Sequence, residues 1–132
     1  MKEISELYFP DELGYSAEHE WVRDDGDLTV IGITDYAQDQ LGDVVFIELP
    51  NVGDTFKQNS VFGTIESVKA VSELFTPIDC EIVEVNKELE NNPSLVNQSP
   101  YDDAWMLKVN SISDAEECEL LTKDGYINTI KG

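Results

Sequence analysis

Val61-Phe62-Gly63-Thr64-Ile65-Glu66-Ser67-Val68-Lys69-Ala70-Val71-Ser72-Glu73-Leu74-Phe75 reads as two β-forming runs that meet at a lysine. Val61–Ser67 and Val71–Phe75 are rich in β-branched and apolar residues, which suit a pleated, half-buried surface. Val68-Lys69-Ala70 then forms the tip of a hairpin. An exposed tip is ordinarily built from Gly, Asn or Asp, and none stands here. Lys69 is also the only basic residue between Gln58 and Asn86, with Glu66 three positions before it and Glu73 four after. A solitary lysine between acids is most often a solvated side chain in a weak ion pair, worth about 0–1 kcal/mol. On spacing alone that reading outweighs a functional one. A Schiff-base lysine needs burial or a neighbouring cation to make its amine nucleophilic, and two flanking glutamates supply neither. If this amine is used, it is used as a site of modification.

Outward from the hairpin, the chain continues as short strands and turns. Trp21-Val22 leads through Asp24-Asp25-Gly26-Asp27, a strong turn signal, into Leu28–Ile33, which predicts another hairpin. Thr34-Asp35 caps a short helix to about Leu41, closed by Gly42. Asp43–Leu49 is a β-rich run stopped by Pro50, and Asn51-Val52-Gly53-Asp54 is a turn. Glu81–Val85 alternates polar and apolar as a half-buried strand does. Asn91-Asn92-Pro93 breaks the chain and starts a short helix, and Trp105–Val109 reads as the last strand. Ser113 with Glu116 is a capping-box pair that predicts a helix to about Leu121; Gly125 then separates a final short helix, Tyr126–Ile130. The whole is one β-rich domain over residues 1–132, with a core at about 15–110 and a helical C-terminal segment at about 113–130.

Composition narrows the function. With 28 acidic residues against 8 basic ones in 132, the net charge is −20, while 41% hydrophobic content is enough for one core. Nucleic acid is excluded as a partner, because phosphate neutralisation needs clustered Lys and Arg. An anionic membrane surface is excluded for the same reason, and no apolar run approaches the roughly 20 residues of a transmembrane helix. Basic proteins and small cationic groups fit the charge. Met1 opens a segment, MKEISELYFP, that resembles neither a signal nor a transit peptide, which points to a bacterial cytoplasm. Cys80 and Cys118 form no C-x-x-C and no Cys/His cluster, so a zinc site is not expected; the spacing leaves a disulfide open, and two buried thiols are the simpler reading. His19 is the only histidine, and Arg23 stands where H-E-x-x-H would need a second. No G-x-G-x-x-G or phosphate loop is present. Enzyme machinery of the familiar kinds is absent from the sequence, and a monomer is the default state.

Glu66-Ser67-Val68-Lys69-Ala70 stands in order with Ser16-Ala17-Glu18-His19-Glu20-Trp21-Val22, with Gly32-Ile33-Thr34-Asp35-Tyr36-Ala37-Gln38, and with Leu41–Pro50, LGDVVFIELP. Val85-Asn86, Leu95-Val96-Asn97 and Ser99-Pro100-Tyr101 follow. In that order the blocks resemble the H-protein family of the glycine cleavage system, the lipoyl carriers, over about Tyr15 to Val109. The resemblance implies a barrel-sandwich hybrid, the flattened β-barrel of lipoyl and biotinyl modules, with helical additions at the N-terminal side and the C-terminus. It implies a carrier, not an enzyme, with lipoate in amide linkage on Lys69, which takes the net charge from −20 to −21. Related modules carry glycine sixteen residues before the modified lysine, matched by Gly53, and eleven after, where this chain has Cys80. A cysteine held at positive φ there would cost about 1–3 kcal/mol. The usual glycine before the last-strand tryptophan is Ala104.

The resemblance also implies a cycle. A PLP-dependent glycine decarboxylase (P-protein) loads an aminomethyl group on the lipoyl arm, and an aminomethyltransferase (T-protein) passes the carbon to tetrahydrofolate. A flavin-dependent dihydrolipoyl dehydrogenase (L-protein) reoxidises the dithiol. The prosthetic sulfurs would explain why the chain has no redox pair of its own. The cationic loaded arm is expected to fold into a cleft lined by Glu20 and Glu73, with Asp35 a further candidate. Glu66 and Glu73 are candidates for recognition of the hairpin by the lipoylating enzymes. A biotinyl domain would show Met on both sides of its lysine, where Val68 and Ala70 stand here. A 2-oxoacid dehydrogenase carrier would show Asp before it and would lack GITDYAQ. A lipoyl relay handing lipoate to other enzymes, and an acidic interaction module without cofactor, are the remaining alternatives.

Overall fold

The computed structural model describes residues 3–111 and 120–131. The hairpin read at residues 21–33 is β2 (Glu20–Asp25) against β3 (Leu28–Ile33), paired from Glu20↔Ile33 to Asp25↔Leu28. Gly26-Asp27 closes it, with φ +70° at Gly26, the left-handed first position that a two-residue turn of this kind demands. The decisive hairpin is β6 (Val61–Ser67) against β7 (Val71–Phe75). The remaining strands are β1 (Gly14–Tyr15), β4 (Val44–Glu48), β5 (Thr55–Phe56), β8 (Cys80–Val85) and β9 (Leu107–Ser111). They form two sheets, ordered β1-β2-β3-β9-β8-β5 and β4-β6-β7. The sheets face each other without closing into a continuous barrel, so the fold is mostly β with small helices, as expected.

The core has two parts. Between the sheets, Ile47, Ile65 and Leu74 of the smaller one belong to one buried cluster with Ile31, Ile82 and Val109 of the larger. An aromatic cluster of Phe9, Tyr15, Trp21, Tyr101 and Tyr126 ties both ends of the chain to β2 and β3. Gly32 is required there: a Cβ would lie 2.6 Å from the Trp21 ring.

Among the described residues four short α-helices decorate the sheets: α1 (Asp35–Leu41), α2 (Glu88–Asn91), α3 (Leu95–Gln98) and α4 (Lys123–Lys131), with a 3-10 turn at Ile4–Glu6. Helix α1 has the ends the sequence predicts. The Thr34 hydroxyl accepts from the Ala37 amide at 3.1 Å, and Gly42 turns the chain with φ +77°.

Several expectations are corrected. The last strand is Leu107–Ser111, not Trp105–Val109. The Asn86 side chain donates to the carbonyls of Asp103 and Trp105, so ordinary ladder pairing begins only beyond them. Gly125 lies inside α4 and does not precede it, because the Thr122 hydroxyl caps the Gly125 amide at 3.2 Å and starts the helix two residues earlier. Leu121 is not helical: it bridges Tyr15 as an isolated antiparallel pair. The rest of the helix expected over Ser113–Leu121, with Cys118, lies outside the described residues, except Leu120, which has no helical conformation. Cys80 carries no strain. It sits in β8 opposite Phe56 and Ser111, fully buried and outside the left-handed region, so its side chain packs where related modules have none. Gly53 does hold φ +95°, and Ala104 is buried.

Candidate functional site

The tip of the β6–β7 hairpin is built by a serine in place of a glycine. Ser67 donates its amide to the Ala70 carbonyl at 2.8 Å, and its hydroxyl oxygen accepts from the amides of Lys69 and Ala70, both at 3.2 Å. A hydroxyl that substitutes for backbone partners in this way stabilises a tight turn. The Val68 amide donates to the Asp43 carbonyl at 3.0 Å, which fastens the tip to the loop after α1. Val68, Lys69 and Ala70 are all exposed. Among the described residues Lys69 forms no ion pair with Glu66 or Glu73, so the weak-bridge explanation for this lysine does not apply.

The Lys69 stem lies across Gly42. A Cβ at Gly42 would stand 3.2 Å from Cε and 3.5 Å from Cδ of Lys69. Leu41, which precedes Gly42, and Ser72, which follows the tip, both line a neighbouring cleft of about 460 Å³. The cleft runs between α1, the start of β2 and the edge strand β7. Ile33, Leu41, Ile65 and Leu74 give it apolar walls, and Glu18, Glu20 and Glu73 give it acidic ones.

Glu20 is 2% exposed. Its carboxylate accepts from the Ser16 hydroxyl at 2.7 Å and from the Phe75 amide on β7. Burial dominates these bonds and pushes its pKa up to about 8. Burial thus favours the neutral carboxyl over the carboxylate. Glu73 is exposed and lines the same cleft. Glu66 is exposed beside the tip, paired with Phe46 on β4 and Val71 on β7. Asp35 is set apart. Its carboxylate accepts from the Tyr8 amide at 2.9 Å and the Gln38 side chain at 2.6 Å, and it lines a separate cleft of about 320 Å³ with Tyr8, Asn97 and Tyr101. Glu20 and Glu73 thus line one cleft, Lys69 stands on the tip of the hairpin whose second strand borders it, Glu66 flanks the tip, and Asp35 lines the other cleft.

His19 also lines the cleft and is held in place from outside it. His19 holds φ +76°, unusual for a residue with a side chain. Its amide donates to the Ser16 carbonyl, and its own carbonyl accepts from the Thr34 amide at 3.0 Å. Its Nδ1 lies 2.8 Å from the Tyr126 hydroxyl, which lies 2.8 Å from the Thr34 hydroxyl. Tyr126, fully buried on α4, thereby joins the strand that carries Glu20 to the cap of α1. Burial lowers the His19 pKa, with Glu18 pulling weakly the other way. Nothing local in the sequence announces a contact 107 residues apart. The left-handed backbone of His19 and the serine-built tip likewise escape residue spacing.

A family profile described as "Glycine cleavage H-protein" matches residues 13–132. The glycine cleavage system H protein of Bacillus licheniformis is 56% identical over 123 residues, covering 92% of this chain and 96% of the relative. That of Bacillus cytotoxicus is 56% identical over 121 residues, covering 91% and 94%. The crystal structure of a glycine cleavage system H protein from Mycobacterium marinum superposes with a TM-score of 0.86 at 34% identity, covering 94% of this chain and all of that one.

Proposed function

The chain belongs to the glycine cleavage H-protein family, and on that premise we propose that it is a lipoyl carrier whose arm is attached at Lys69 Nζ. The observation that carries this reading is the single exposed lysine on a hairpin tip, its stem laid over Gly42 and its strand β7 bordering an acidic-ended, apolar-walled cleft. An aliphatic arm with a cationic end matches that lining. Attached at Lys69, lipoate would supply the redox-active disulfide needed to carry the aminomethyl unit of glycine among the P-, T- and L-proteins.

The chain's own residues do the rest. Lys69 presents an amine in water, where it attacks an activated lipoyl carboxyl; the amide forms and the activating group leaves with a proton. Gly42 gives the stem room to pass, since a side chain there would press on Lys69 Cε. Ser67 holds the tip rigid. Glu20 and Glu73 offer carboxylates to the cationic end of the cargo, and the apolar walls exclude the water that would hydrolyse it. An ammonium group arriving at Glu20 favours the ionised carboxylate, so Glu20 gives up its proton as the cleft fills. Glu66, beside the tip, serves as part of the address read by the lipoylating enzymes.

Intact mass tests the attachment. The protein produced with a lipoate–protein ligase and lipoate gains one lipoyl amide, and Lys69→Arg gains none. A wild-type protein that stays unmodified, or a Lys69→Arg variant that is modified elsewhere, refutes the assignment. Glycine-dependent NADH formation with the P-, T- and L-proteins then tests the role of the arm.

A further inference from the structure

The hairpin tip is ringed by apolar side chains that no fold requirement puts there. Seven large hydrophobic residues are exposed among the described residues, and four of them surround Lys69: Val45 (52% exposed), Phe46 (49%), Val68 (67%) and Val71 (65%). Scattered exposed apolar residues need no explanation, but a contiguous patch does. Pairing makes this one contiguous. Phe46 is opposite Glu66, and Glu66 is opposite Val71, so the three form one cross-strand row just below the tip. Val45 is exposed next to Phe46 because the register shifts between Val44 and Phe46. An unbulged strand would turn one of two consecutive residues inward; the irregularity turns both out, as bulges do where a side chain must be re-aimed.

The surroundings are acidic. Glu66 stands in the middle of the row, Glu48 and Glu73 lie in the next row on either side of Thr64, and Asp43 is exposed beside the tip. Lys69 is the one cation inside this frame.

We propose that Val45, Phe46, Val68 and Val71 form a docking pad for the enzyme that acylates Lys69. That enzyme's face has an apolar centre and a rim of Lys and Arg. The inference rests on the reading of Lys69 as the attachment site and adds the surface through which it is found. A stable interface covers about 800 Å² on each partner. An enzyme that brings its active centre to Nζ on a three-residue tip therefore cannot avoid covering Val68 and Val71. Desolvating those groups against an apolar face is favourable, and the carboxylates around them select a basic rim and repel acidic surfaces. The same arrangement explains how one lysine is chosen among seven: among the described residues no other lysine lies on a tip flanked by this pad.

The test uses the folded, unmodified protein with a lipoate–protein ligase, lipoate and ATP. Phe46→Ser and Val68→Ser are compared with Val52→Ser, an exposed apolar residue in the distant turn at residues 51–54. Phe46→Ser and Val68→Ser are expected to raise KM for the carrier at least tenfold with kcat within twofold of wild type, while Val52→Ser leaves both unchanged. Wild-type KM is expected to rise as salt is added, because the rim pairs are exposed. Thermal melts keep any misfolded variant out of the comparison. KM within twofold of wild type for both pad variants, with wild type acylated normally, overturns the pad and leaves the attachment site standing. A wild type that is not acylated at all overturns the attachment site and the pad with it. Sedimentation that finds wild type self-associating and Phe46→Ser monomeric assigns the pad to a second copy of the chain and overturns the proposal.

Discussion

Glu20→Gln is the substitution whose consequence can be worked furthest from the structure. The carboxyl is 2% exposed, and burial lifts its pKa from an ordinary 4.5 to about 8. Below pH 4.5 the group is protonated in both the folded and the unfolded chain and contributes no pH dependence. Between 4.5 and 8 the unfolded chain has lost this proton while the folded one keeps it, so stability falls as pH rises. Above 8 the folded protein carries the full cost of a buried carboxylate. At about 1.4 kcal/mol for each pH unit, that window amounts to about 5 kcal/mol. Glutamine never ionises, and its carbonyl oxygen can still accept from the Phe75 amide. The stability of wild type minus that of Glu20→Gln should therefore decline by several kcal/mol from pH 4.5 to 8.5 and then level off. Other titrating groups are common to both proteins and cancel in the difference. Urea unfolding followed by the fluorescence of Trp21 and Trp105, at pH 5, 7 and 9, measures it. Parallel stability profiles for the two proteins would refute the reasoning, because they would mean that the carboxyl reaches water in the folded state.

Gly42→Ala should cost about 1–3 kcal/mol, since φ is +77° and the new methyl meets Lys69 Cε; a melting temperature equal to wild type counts against it. Gly63→Ala puts a Cβ on the Glu48 carbonyl oxygen and should break the β4–β6 pairing, seen as loss of a cooperative melt. Tyr126→Phe keeps the ring stacked on Tyr15 but strips a partner from His19 and Thr34, at a cost of about 1–2 kcal/mol by urea unfolding. Ser67→Ala should leave global stability within about 1 kcal/mol while speeding amide exchange at Lys69 and Ala70; unchanged exchange would mean the hydroxyl does not hold the tip.

What the sequence made legible was local. Thr34 and Gly42 bound α1 because capping is a matter of neighbouring residues, and Gly26-Asp27 closed a hairpin for the same reason. The β6–β7 runs were readable from composition, and the lysine between them from its charge contrast. Other features are set by what lies across the molecule. The two-residue strands β1 and β5 exist only because Tyr15 meets Trp21 and Phe56 meets Cys80; two residues carry no periodicity to detect. Asp35 could be placed on α1 by sequence, but its side chain is claimed by the Tyr8 amide from 27 residues away. Burial of Glu20 follows from β7 folding over it, which no pattern near residue 20 records. The irregularity beside Val45 is a matter of strand pairing and is invisible in DVVFIEL.

The stacking of Tyr15 on Tyr126, with ring centroids 5.0 Å apart and planes 12° from parallel, fastens the two ends of the polypeptide to each other through one aromatic clasp. Phe9 seals it edge-on against both rings. Clipping the tail before Tyr126 would thus do more than shorten the protein: it would strip the cover from Tyr15 and let the leading segment fray as well. Proteolytic nicking at one terminus should accordingly be answered by new cleavage at the other, the two behaving as a single unit of unfolding.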